Sequence, residues 1–394
     1  MLASGEWLNR ERVTIVAATS AAIGAAMLAY LFATAHHGVD RFGQPIGTDF
    51  SVFWNAGYLA NQGRAADAWN PEILNATAHV THGANVGDSA WLYPPPFLFV
   101  ASPLAALPYV LALVLWQLFS LAIIAVALSA ILRSRRAVLV ALASPIVPTV
   151  LGHGQNALLT ASLLSGGLLL LRRSPALAGS AVGALVYKPQ LGLLIGPLLL
   201  VTRSWLALLA AALVASALIA GSLLFWGIES WHAFVASLKF GRLFMEQGSV
   251  GFHKSASLFA MARQWGASVR LGYAVQVVGL ATAFWLIWRL RNSEPAIRAA
   301  GVCAAVALST PYFLDYEMAV VGVGAAFLYA HGQATGFRPY ERSLLALIWI
   351  APWFSRPAAE YLAAPVSQIA VIGLAVLIAL RASPSRHSRA TSAP

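Results

Sequence analysis

Apolar residues in this chain seldom alternate with polar ones at the period of a half-buried helix; they run on. Nearly every residue from 13 to 35 is apolar, and comparable runs recur over 108–132, 137–151, 156–171, 176–187, 190–202, 205–226, 268–290, 297–313, 316–331, 343–354 and 365–381. A helix crosses the hydrocarbon core of a bilayer in roughly 20 apolar residues, so the longer runs read as membrane spans. Several others are too short to cross alone, and such segments survive at membrane depth where they pack inside protein or line a cavity. The pairs flanking "GHGQ" (152–155) and "KPQ" (188–190) are therefore expected to be broken or re-entrant. The expected fold is all-α: one integral membrane domain over 1–394 with about ten to twelve membrane segments.

Two long interruptions, 36–107 and 227–267, break this pattern. In the first, Phe50, Phe53, Trp54 and Tyr58 recur at helical spacing, which predicts an amphipathic helix over 50–62 fit to lie along the lipid interface. "NPEILNATAHV" (70–80) predicts a second short helix, with Asn70 as N-cap, Pro71 in first position and Glu72 in the first turn. "WLYPPPFLFVASPLAALPY" (91–109) breaks helix repeatedly and should return to the membrane kinked and partly extended.

Composition agrees. Of 394 residues, 59% are hydrophobic and 10% charged, against about a quarter charged in soluble domains; the mean hydropathy is +0.72. A net charge of +11 would suggest a nucleic-acid partner in a soluble protein. Here, cytoplasmic loops rich in Lys and Arg explain it first. With the N-terminus inside, inner loops hold Arg10, Arg12, Arg133, Arg135, Arg136, Arg172, Arg173, Arg203, Arg289, Arg291, Arg298, Arg338, Arg342 and the basic tail 382–394. Both termini are then cytoplasmic in a cell membrane, and the tail is expected to touch anionic lipid. "ATA" at 33–35 resembles a signal-peptidase site, but the run before it is too long for a signal peptide, so it reads as an uncleaved span. Most carboxylates, Asp49 and Asp315 among them, fall outside with the two long loops, which makes the outer, periplasmic face the working one. The single cysteine, Cys303, lies in an apolar run and permits no intramolecular disulfide.

Candidate chemistry gathers on that face. Asp49 sits at the bilayer edge before the aromatic helix, where a carboxylate is costly unless solvated, paired or used. It reads equally as a general base taking a proton from a hydroxyl or as the N-cap of that helix. Lys188 interrupts an apolar stretch, and Arg242, His253 and Lys254 stand in the second long loop; such cations suit a phosphate, although snorkelling and plain solvation account for them as well. Asp315 and Glu317 form a second acidic point, read as a site carboxylate, a weak divalent-metal pair or an ordinary polar turn. Tyr93, His153, Gln155, Asn156 and Gln190 offer hydrogen bonds to a sugar or acceptor, although His153, Gln155 and Asn156 could as easily satisfy backbone at a tight re-entrant turn. No P-loop, G-x-G-x-x-G or G-x-S-x-G motif provides a nucleotide site or a hydrolase elbow.

Taken in order, "GTDFSVFWNAG", "YPPPFLFVASPLAALP", "GHGQNALL", "KPQLGLLIGPLLL" and "STPYFLDYE" resemble the polyprenyl-phosphate-mannose-dependent mannosyltransferases, family 87 of the glycosyltransferases, over residues 5 to 380. The resemblance implies a GT-C fold, a sugar donor carried on polyprenyl phosphate, which needs no nucleotide motif, and a glycolipid or glycan acceptor; no cofactor is expected, with a divalent metal left open. It implies that Asp49 is the base of an inverting transfer and that Lys188 and the loop cations hold the donor phosphate. Some relatives carry a histidine in a "P-x-x-W-x-H" setting; here Pro311 is followed by Leu314, Asp315 and Tyr316, so the histidine is absent. That leaves open the partner of Asp49, the acceptor and the sugar, with arabinose an alternative to mannose. A transporter or flippase for lipid-linked sugars would share the face and its cations without needing Asp49.

Overall fold

The computed structural model describes residues 1–36, 38–83, 86–87, 89–192 and 194–382; from 383 onward the basic tail lies outside the described residues. The described chain is helical throughout, with no strand and only isolated bridges such as Ser255 with Leu314. Four helices are long and apolar enough to cross a membrane: Arg10–Ala33, Tyr109–Leu132, Trp205–Glu246 and Val269–Leu290. A fifth crossing is made if Arg135–Leu142 and Ile146–His153, bent by 55° at their junction, count as one. The remaining apolar runs are shorter helices, including Ala157–Leu170, Pro175–Gly183, Ile195–Val201, Pro295–Ser309 and Val366–Arg381. The chain is thus a polytopic helical membrane protein.

The apolar surplus shows on the outside. Leu224, Phe225, Val126, Val278 and Ile369 are all more than 60% exposed, a pattern that suits hydrocarbon and not water. The centre belongs to Pro295–Ser309, whose residues 299–308 are all buried. A helix apolar on every side is stable only when neighbours cover it. Its small side chains allow close approach: a Cβ on Gly324 of the neighbouring helix Met318–Thr335 would stand 2.9 Å from that of Cys303, the kind of contact that packs membrane helices.

Two sequence expectations are corrected. The second long interruption is not mainly loop, because helix Trp205–Glu246 continues through it with a kink at Gly227 (φ 72°, ψ 169°). Beyond the kink Ser230, Ser237 and Gly241 form a buried stripe of small residues, so this stretch is held by packing against Trp69 and Leu92. The aromatic helix, Thr48–Asn61, does not lie along lipid either. Phe50 and Phe53 are 0% and 1% exposed. Phe53 is ringed by Trp91, Tyr93, Phe97 and Trp116 at centroid distances of 6.1, 5.3, 5.1 and 6.5 Å. Burying such a ring stabilises by about 2 kcal/mol, more than partial insertion at an interface would return. The second short helix forms as predicted over Pro71–His82, with the Asn70 side chain accepting from the Glu72 N–H at 3.0 Å.

Candidate active site

Six segments distant in sequence meet at one end of the bundle. The first is the start of helix Thr48–Asn61. Its N-cap is Gly47, in the left-handed conformation and without a side-chain cap, so Asp49 stands in the first turn and is not the N-cap. The half-buried Asp49 side chain is therefore released from a capping role.

The turn 153–156 supplies the next groups. Gly154 (φ +62°) ends helix Ile146–His153, and a Cβ there would lie 2.5 Å from that of Phe50. Only glycine satisfies both the positive φ and the contact, and the result brings His153 and Gln155 against the start of the aromatic helix. Trp116 Nε1 donates to the Gly154 carbonyl at 2.9 Å and Gln117 Nε2 to that of Leu151 at 2.6 Å, fixing the turn to helix Tyr109–Leu132. Gln155 Nε2 then donates to Asp49 Oδ2 at 3.1 Å, while Gln155 Oε1 accepts from the Tyr93 hydroxyl at 3.0 Å and the Asn156 N–H at 2.7 Å. The fully buried Asn156 side chain lies beside the Tyr93 hydroxyl, yet neither of its polar atoms has a hydrogen-bond partner of good geometry. Burial, joined by the charges of Glu317 and Asp49, raises the Tyr93 phenol well above its usual 10, so it stays a donor.

His153 has a defined tautomer. Arg356 Nη2 contacts its Nε2 at 2.9 Å and Thr48 Oγ1 its Nδ1 at 2.7 Å. A guanidinium only donates, so Nε2 accepts, the ring is neutral, and Nδ1–H donates to Thr48. Arg356 itself stands between Pro352 and Pro357 in helix Glu341–Leu362 and forks onto Asp315, through Nε to Oδ2 and Nη2 to Oδ1. Its Nη1 bonds no described residue. The other acid of that turn, Glu317, pairs through Oε1 with Lys188, which is 4% exposed and has its Nζ 5.7 Å from the ring centroids of both Tyr93 and Tyr316. Glu317 Oε2 is buried without a partner.

The sequence-nominated residues therefore divide. Asp49, Tyr93, His153, Gln155, Asn156, Lys188, Asp315 and Glu317 come together. Lys254 borders them, since its charge acts on His153. The Ala256 N–H donates to the Phe313 carbonyl at 2.7 Å and ties that segment to the acidic turn. Arg242 does not join: it is exposed and pairs with Glu246 at 2.8 Å on its own helix. His253 and Gln190 make no recorded bond to the cluster. Lys188, read from sequence as a phosphate cation, is paired with Glu317, and Asp315 and Glu317, read as a site carboxylate, a divalent-metal pair or a polar turn, each hold their own cation. Among the described residues no group of three or more His, Cys, Asp or Glu side chains is placed to hold a metal. Arg356 and Thr48 went unnominated; the only hint of the first was an arginine between two prolines at the end of an apolar run, "APWFSRPAAE".

One acid remains without a cation. Asp315 has Arg356 and Glu317 has Lys188, but Asp49 has only the Gln155 amide among the described residues, and its Oδ1 bonds nothing. Its charge nevertheless acts on His153, Arg356, Tyr93 and Tyr316. Such an oxygen can accept a proton from an incoming hydroxyl with a fixed guanidinium close by. Among known proteins, a model of glycosyltransferase family 87 matches residues 91–311, more than half of the chain. No curated protein and no solved structure matches.

Proposed function

The chain belongs to glycosyltransferase family 87 and is a membrane glycosyltransferase, and from that premise we propose that it moves a sugar, mannose in the first instance, from polyprenyl phosphate to a glycolipid or glycan hydroxyl on the outer face of a cell membrane. Asp49 Oδ1 takes the proton of the acceptor hydroxyl. The acceptor oxygen bonds to the anomeric carbon as the bond from that carbon to the phosphate oxygen breaks. The electron pair leaves with polyprenyl phosphate, on the face opposite to attack, so configuration inverts. The transition state has oxocarbenium character, and the departing phosphate gains one negative charge. Arg356, held by Asp315 and with Nη1 open, and Lys254 are the cations we assign to that charge. Lys188 acts behind them, fixing Glu317 and the Tyr93 and Tyr316 rings. Gln155 orients the base, and its link to Tyr93 keeps the amide from turning.

The observation that carries this reading is the contrast within the cluster: two carboxylates matched to cations and one left open. The arginine-rich loops at the opposite end of the bundle support the reading that this end is cytoplasmic and Asp49 lies outside. The test is Asp49→Asn, near isosteric and able to keep the Gln155 contact after an amide flip. Supplied with a polyprenyl-phosphate sugar and an acceptor extract, it should lose about 10²–10⁴-fold in kcat, the usual contribution of a general base, while donor binding persists. Near-wild-type turnover by folded Asp49→Asn removes Asp49 from the mechanism.

A further inference from the structure

At the end of the bundle remote from Asp49, three short connections line an open polar cleft of about 410 Å³. Its lining comes from 171–172, from 202 and 204, and from 291–298. Arg172, Arg291 and Arg298 line it together with Thr202, Ser204, Ser293 and Asn292; the Arg291 guanidinium also stacks on the Trp288 ring at 4.0 Å, and the Thr202 hydroxyl bonds the Leu198 carbonyl and Ser204. None of the three arginines has a carboxylate within 4.0 Å among the described residues. Arg298 donates one bond to the Arg291 carbonyl at 3.3 Å, and Arg291 one to the Trp288 carbonyl at 2.7 Å, while Arg172 has no recorded bond. Glu294, in the same connection, is turned to His331 at 3.1 Å.

The positive-inside bias accounts for arginines at this end of the protein, but not for their arrangement. Arg173 and Arg203 belong to the same connections and do not line the cavity. Arg172 and Arg298, by contrast, both line it, and burial, joined by repulsion from Arg172, pushes the Arg298 guanidinium below its usual pKa. Such repulsion is unfavourable unless an anion sits between the charges. Helix N-termini add to the field: Ser204 and Pro295 line the cavity at the starts of Trp205–Glu246 and Pro295–Ser309, and neither helix has a side-chain cap for its first-turn N–H groups. Forked donors, hydroxyls and uncapped helix starts together match a tetrahedral oxyanion.

We propose that this cavity is a phosphate-binding site, distinct from the transferase centre, taking either the headgroup of an anionic phospholipid of the surrounding leaflet or free phosphate. The experiment uses the purified full chain in detergent and measures binding by native mass spectrometry against phosphatidylglycerol, phosphatidylcholine and inorganic phosphate. Phosphatidylglycerol should bind in preference to phosphatidylcholine. Arg172→Gln/Arg298→Gln should weaken that binding at least about tenfold, given the strength of charge-assisted bonds to a phosphate. Arg173→Gln/Arg203→Gln removes the same charge from the same connections and should leave it unchanged. Arg172→Gln alone, at an exposed side chain, keeps the test open if the double variant does not fold, and should lose several-fold. Binding of inorganic phosphate without phosphatidylglycerol, lost in the same variants, would identify free phosphate as the source. Equal loss in both double variants, or no preference for either anion over phosphatidylcholine, overturns the site.

Discussion

Lys188 is the residue whose meaning changes most with its surroundings. A lysine in an apolar stretch attracts a functional reading, yet this one is enclosed with Glu317 and flanked by two tyrosine rings. A buried ion pair contributes little net stability, but removing one partner leaves an uncompensated charge and costs about 3–5 kcal/mol. Lys188→Met is therefore expected to lower the thermal midpoint in detergent sharply, and Lys188→Met/Glu317→Leu to recover most of the loss. A single variant that stays fully stable while losing donor affinity would return Lys188 to direct phosphate binding. Arg356 is the converse case, a residue that gave little signal alone and becomes central once Asp315 and His153 are seen to hold it. These pairs were illegible in the sequence because their members stand 129 and 41 positions apart, and nothing local specifies such partners. Asp49 could be singled out because an acid at a bilayer edge is conspicuous wherever the chain later goes.

At the scale of elements, what positions Asp49 is the seating of helix Thr48–Asn61 on Leu98–Ala105. A Cβ on Gly57 would stand 2.1 Å from the Ala101 carbonyl oxygen, so the two backbones touch with only a hydrogen between them. Gly57→Ala must push the helices apart. It should destabilise by about 1–3 kcal/mol, as overpacking does, and lower kcat by shifting Asp49 relative to Gln155. Gly166→Ala, a helical glycine with nothing within 4 Å of the added atom, is the control and should leave turnover unchanged and stability equal or slightly higher. Wild-type stability and turnover in Gly57→Ala would show that this contact does not set the base. Helical spacing revealed that this element exists, and the N-cap signals of Pro71–His82 revealed the next. Spacing did not reveal whether its aromatic face meets lipid or protein, because both are apolar partners.

For the whole molecule, the sides we propose from the arginines make a physical prediction. Cys303, the only cysteine, is fully buried and gives no labelling background. Gln62→Cys, exposed beyond the aromatic helix, should react with a membrane-impermeant thiol reagent on intact cells. Arg173→Cys, exposed at the opposite end, should react only after the membrane is opened. The reverse pattern would put Asp49 on the cytoplasmic side. By itself the sequence determined that the protein is helical and membrane-embedded, that its short runs are broken, and which acid to suspect. Those properties come from local periodicity and from the summed apolar character of each run, which need no knowledge of neighbours. Only the tertiary structure decided that the second interruption is mostly helix, that the aromatic face turns inward, and that each nearby carboxylate except Asp49 is matched to a cation. Such outcomes depend on which distant surfaces meet, and packing selects those from many contacts of similar local strength.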